Sequence, residues 1–154
     1  MLKILTLPAL LLLCSFSPVI TEKNICEAIS TVTKAAKDQK WDAVVSSSAS
    51  EEQYSSKIAI TGWDDETVSY AKGESFSFRS VYNAKSYKDA KATFDKTRLS
   101  LDKCLGLKGE LQGFDDGATL YYIISDKLKI EIDFFANENG NDWWIDLKVV
   151  ADLR

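Results

Sequence analysis

The chain contains no histidine among its 154 residues. That absence removes Ser-His-Asp and Cys-His nucleophilic arrangements, His-bearing zinc sites and the usual general base at neutral pH. It also lacks a C-x-x-C pair, so dithiol redox chemistry is not expected. Its seven glycines are scattered at turns rather than gathered into a phosphate-binding loop. Positive charge is short as well, with 19 Lys and Arg against 23 Asp and Glu. An acidic chain has no electrostatic reason to seek phosphate backbones or anionic lipid. Nucleic acid and membrane surfaces are therefore not expected partners.

Long apolar runs are confined to the start. Lys3 precedes a stretch, Ile4 to Phe16, that is apolar apart from Thr6, Pro8, Cys14 and Ser15. It is short and interrupted for a membrane span and reads as a signal segment over residues 1–21. Cleavage after Thr21 leaves Val19 and Thr21 at the positions that favour small residues. Cys14 raises a lipoprotein reading, but Leu13 stands where an acceptor cysteine usually follows a small residue. Once the segment is removed, no membrane association is expected. Lys3 is the only charged residue before Glu22, so 18 basic and 23 acidic groups remain, a net charge of −5. Residues 22–154 are long enough for one domain with a real core. The expected location is periplasmic or secreted.

Of the three cysteines, Cys14 leaves with the signal, and Cys26 and Cys104 remain. Two cysteines in an exported chain read as a disulfide, against the alternative of two buried free thiols.

The strongest helical signal runs from Ser86 to Leu105. Tyr87, Ala90, Phe94, Thr97, Leu101 and Cys104 recur at steps of three and four, which places them on one helix face. Ser86 suits the N-cap, Asp89 the positive end of the helix dipole, and Gly106 the left-handed residue that stops the helix. A second helix is expected from Asn24, with Ile25, Ile29, Val32 and Ala36 as its apolar stripe. Cys26 lies in its first turn and Cys104 in the last turn of the other. A bond between them favours two antiparallel helices side by side.

Between the helices, Lys37 to Ser56 reads as a polar connection. Trp41 to Val45 forms a short turn folded onto the core, and Ser46 to Glu52 an exposed loop. Strands are expected at Lys57–Trp63, Thr67–Ala71 and Ser75–Asn83, with Asp64, Asp65 and Glu66 as a turn. After Gly106, Leu107–Phe114 is a weak strand and Asp115-Asp116-Gly117 a turn. Leu120, Tyr122 and Ile124 then alternate with polar positions. So do Leu128, Ile130, Ile132 and Phe134, and finally Trp143, Ile145, Leu147 and Val149. One face is apolar and the other wet, the mark of an antiparallel sheet covered on one side. The expected class is α+β, a two-layer sandwich in the order α-β-β-(β)-α-β-β-β-β with both helices on one face.

This layout resembles the type III secretion chaperone-like fold. The resemblance rests on the strand Ser75–Tyr82, the helix Tyr87–Leu105 and the closing strand Asp142–Val149. It is also similar to small exported bacterial proteins with one cysteine early in the first helix and another ending the second. The resemblance implies dimerisation or binding of a protein partner and nothing more. An exported, disulfide-bonded chain departs from cytoplasmic secretion chaperones.

The remaining route to catalysis is a carboxylate pair of the glycosidase type. Asp64 with Asp65 and Glu66, Asp115 with Asp116, and Glu131 with Asp133 are the candidates, read more simply as turns and a solvated strand face. Asn137–Asp142 is rich in oxygen ligands, but its register does not fit a calcium loop. The first ligand position falls on Phe135, and no glutamate closes the loop. A hairpin loop is expected there. No catalytic residue, metal site or cofactor is assigned. The candidate binding face comprises Arg79, Tyr121, Glu131, Asp133, Trp144, Asp146 and Lys148, where aromatics mix with charge on the sheet surface turned away from the helices. Trp63, beside Asp64 to Glu66, marks a second, smaller patch. The expected function is non-enzymatic protein binding, of inhibitor, immunity or envelope-chaperone type. A carboxylate-dependent hydrolase and a homodimeric structural envelope protein are the alternatives.

Overall fold

A computed structural model describes residues 21–48, 53–71, 73–114, 117–136 and 142–154. Residues 1–20 of the expected 1–21 signal segment, the Asp115-Asp116 turn and the 137–141 loop lie outside the described residues.

The helices form where the capping chemistry permits. Helix α1 (Ile25–Asp38) begins at Asn24, whose side chain accepts the Glu27 N–H at 3.0 Å. It ends at Gln39 in a left-handed conformation, φ 52°. Helix α2 (Tyr87–Leu105) is capped by Ser86, whose hydroxyl accepts the Asp89 N–H at 3.2 Å, and stops at Gly106, φ 66°. The first turn of α1 meets the last turn of α2 at Cys26 and Cys104, a disulfide with Cα atoms 5.9 Å apart.

The strands are β1 (Thr21–Lys23), β2 (Val45–Ser48), β3 (Gln53–Ser56), β4 (Ile58–Ile60), β5 (Asp65–Ala71), β6 (Ser75–Ala84), β7 (Glu110–Phe114), β8 (Gly117–Ser125), β9 (Leu128–Ala136) and β10 (Trp143–Asp152). Among the described residues, eight form one antiparallel sheet in the order β2-β3-β5-β6-β10-β9-β8-β7. β1 and β4 make a separate parallel pair.

Alternation fixes the two faces of this sheet. Phe76 and Phe78 of β6, Ile145, Leu147 and Val149 of β10, Leu128, Ile130 and Ile132 of β9, and Leu120 and Tyr122 of β8 are all buried. They meet Ala28, Ile29 and Val32 of α1 and Ala90, Phe94 and Leu101 of α2 in a single core. Both helices therefore cover the same side, and the fold is α+β. No helix among the described residues is long and apolar enough to cross a membrane.

Several details depart from the sequence expectation. The polar connection expected over Lys37–Ser56 contains strand β2, which runs into the expected Ser46–Glu52 loop, and strand β3, because β5 offers β3 a ladder at Gln53–Ser55. Among the described residues, five strands rather than two or three therefore separate the helices. β5 begins at Asp65, inside the expected acidic turn. Of the expected Trp41–Val45 turn, Trp41–Ala43 is a short 3-10 segment that stacks Trp41 on Phe76, with ring centroids 4.4 Å apart, and Val45 already belongs to β2. Tyr87, expected on the apolar stripe, is 51% exposed, though its ring still edges against Trp143 at 4.9 Å. The strand expected from Leu107 starts only at Glu110.

Candidate functional site

The positions that alternation sends away from the helices come together on the open face of the sheet. Arg79 of β6 stands opposite Lys148 of β10, Lys148 opposite Glu131 of β9, and Glu131 opposite Tyr121 of β8. One step along the strands, Asp146 is opposite Val81 on one side and Asp133 on the other, and Asp133 is opposite Thr119. One further step pairs Trp144 with Phe135. All seven residues singled out in the sequence thus lie on one face.

Two carboxylates directly opposite each other repel. The face resolves the Asp146–Asp133 repulsion with two cations. The Arg79 Nε donates to both oxygens of Asp146, at 2.9 and 2.8 Å, and its Nη2 lies 2.8 Å from Oδ2. Lys148 Nζ lies between the acids, 2.8 Å from Asp133 Oδ2 and 3.4 Å from Asp146 Oδ2. The other oxygen of Asp133 accepts the Thr119 hydroxyl at 2.8 Å. Burial works against the charged form of Lys148, but its hydrogen bond to Asp133 and the charges of Asp146 and Asp133 outweigh it and raise its pKa. The Asp146 side chain is only 3% exposed, whereas that of Arg79 is 48% exposed. A bidentate guanidinium clamp on a carboxylate fixes both partners in direction as well as distance.

Glu131 stays outside this network and pairs with Lys129 at 2.6 Å. Tyr121 stands half-buried beside it. Trp144 meets the ring of Phe135 edge-on, with centroids 4.5 Å apart. Phe135 and Thr119 belong to the face but were not singled out in the sequence. The signal for them was present, since both follow the outward phase of their strands.

The acidic turn candidates are held in structural bonds. Glu66 Oε1 accepts the Ile60 N–H at 2.9 Å and the Ser80 hydroxyl at 3.2 Å. Asp64 accepts the Asn83 N–H at 2.7 Å. Asp115 and Asp116 lie outside the described residues. Among the described residues, no cluster of three or more His, Cys, Asp or Glu side chains has the arrangement to hold a metal ion.

Comparison of the chain with protein-family models, with curated proteins and with solved structures finds no match. The functional reading therefore rests on the geometry of the face itself.

Proposed function

We propose that the chain is an exported, non-enzymatic domain that binds another protein through the open face of its sheet. One observation carries the reading. The charges of this face are locked onto each other beside an aromatic pair, so the surface is set before a partner arrives. A preordered surface loses less side-chain freedom on docking, and Trp, Tyr and Arg are the residues that most often anchor interfaces. Net acidity suits a basic partner. A disulfide suits an oxidising compartment, so a periplasmic or secreted site of action fits. An inhibitor, an immunity-type protein and a small envelope chaperone all belong to this class. The type III secretion chaperone-like resemblance supports binding in the same general sense.

Affinity capture from the native envelope tests the reading, using wild type and the Trp144→Ala and Tyr121→Ala variants. The expected result is a specific partner whose recovery falls at least tenfold with Trp144→Ala, while light scattering shows an unchanged oligomeric state. Equal recovery with both variants would remove the face from consideration. A change of mass with Trp144→Ala would point to self-association instead.

A further inference from the structure

The Trp63 patch lies on the helix layer, away from the face just described. There, α2 carries Thr93, Lys96 and Ser100 at steps of three and four, a polar stripe beside the apolar one that includes Thr97. This stripe forms one wall of a groove of about 470 Å³. The opposite wall is apolar, made by Ile25 at the start of α1, Ile60 at the end of β4, and Trp63 in the turn that follows. The ring of Tyr82 closes one side, its hydroxyl turned onto Asp89 at 3.1 Å. The volume falls within the roughly 300–1,000 Å³ of small-molecule sites.

Lys96 is the one charged side chain in the lining, and Asp89 and Asp64 stand behind the Tyr82 ring. No Asp or Glu lines the groove, although the chain as a whole is acidic. The groove opens at Asn24 and Ile25, the positive end of the 14-residue helix α1. Thr97 gives an independent indication. It is only 4% exposed and lines the groove, and no described residue bonds its hydroxyl. A hydroxyl that the protein leaves unpaired and that lines the groove can donate to a bound acceptor.

We propose that this groove binds a small carboxylate with a flat apolar body. The body lies against Ile25, Ile60 and Trp63, and the carboxylate takes donors from Lys96 and Thr97 near the start of α1. This goes beyond the protein-binding reading and does not depend on it.

The test is an NMR titration of the isotope-labelled, disulfide-bonded chain with benzoate, and in parallel with benzyl alcohol as its uncharged counterpart. Benzoate is expected to shift the Trp63 indole and the Ile25 and Thr97 amides along one saturable curve. Benzyl alcohol is expected to bind about tenfold more weakly, the size of one lost charge-assisted contact. Lys96→Met, at an exposed position, should weaken benzoate about tenfold and leave benzyl alcohol unchanged. Thr97→Val should also weaken benzoate. The proposal fails if benzyl alcohol binds as well as benzoate, if the shifts map elsewhere, or if Lys96→Met binds benzoate like wild type. Trp144→Ala should bind benzoate normally, which keeps the outcome separate from that of the sheet face.

Discussion

The ion pair on the open face is lopsided, and the two ways of breaking it should differ. Asp146 is sealed off, while half of the Arg79 side chain is in water. Replacing Asp146 by Val frees a guanidinium that can rehydrate where it stands. Lys148 still has Asp133 at 2.8 Å. The loss should then be that of a surface pair, about 0–1 kcal/mol. Replacing Arg79 by Met keeps the aliphatic stem but leaves the Asp146 carboxylate out of water, with only Lys148 at 3.4 Å to neutralise it. Stranding one partner of a fully buried pair costs about 3–5 kcal/mol. Because Lys148 remains, about 2–3 kcal/mol is expected here. For a domain of this size that lowers Tm by roughly 6–15 °C, against a few degrees for Asp146→Val. The double variant should melt close to Asp146→Val alone, since no charge is then left stranded. Thermal and urea unfolding followed by circular dichroism measure all three. If Arg79→Met costs no more than Asp146→Val, the argument from unequal burial is wrong.

Two further outcomes follow from covalent and hydrogen-bonded contacts. Cys26 and Cys104 are 78 residues apart, and opening that loop by the double Ser variant should cost roughly 4–5 kcal/mol in urea unfolding, with the same loss on reducing the wild type. Tyr122 is 1% exposed and donates to Asp102 at 2.7 Å, so Tyr122→Phe should cost about 1 kcal/mol. Burial, the Asp102 hydrogen bond and the Asp102 charge raise the Tyr122 pKa. Its stabilisation is then complete below the unfolded-state value of about 10 and is lost as pH rises beyond it, because the unfolded chain releases the proton first. Stability measured between neutral and strongly alkaline pH should therefore fall more steeply in wild type than in Tyr122→Phe.

Much of this architecture is legible in local pattern. α2 runs from Tyr87 to Leu105 with its cap at Ser86 and its stop at Gly106, because cap, period and terminator all agree there. The long strands β9 and β10 alternate cleanly enough for their faces to be assigned from the residues alone. Strands β2 and β3 are not legible, since short serine-rich segments become strands only when a neighbour supplies the ladder. The acidic stretch at Asp64–Glu66 looks like a turn because nothing local reveals that Glu66 will bond Ile60 and Ser80. The candidate face was legible as a set of outward positions. Its electrostatics were not, because alternation says which way Asp146 points and nothing about what Arg79 and Lys148 do above it. The Trp63 groove needed α1, β4 and α2 to meet, and their sequence separation conceals that meeting.

The placement of β10 has a consequence for synthesis. It is the last described strand along the chain, yet it lies in the middle of the sheet, matched to β6 from Trp143 to Asp152 and to β9 from Trp143 to Ala151. Until it arrives, β3, β5 and β6 on one side and β9, β8 and β7 on the other are two ribbons with a raw margin each and nothing between them. The ribosome must deliver the keystone before either half can lean on the other. A nascent chain halted near residue 140 should remain open to proteases and chaperones however much of its local structure has already formed.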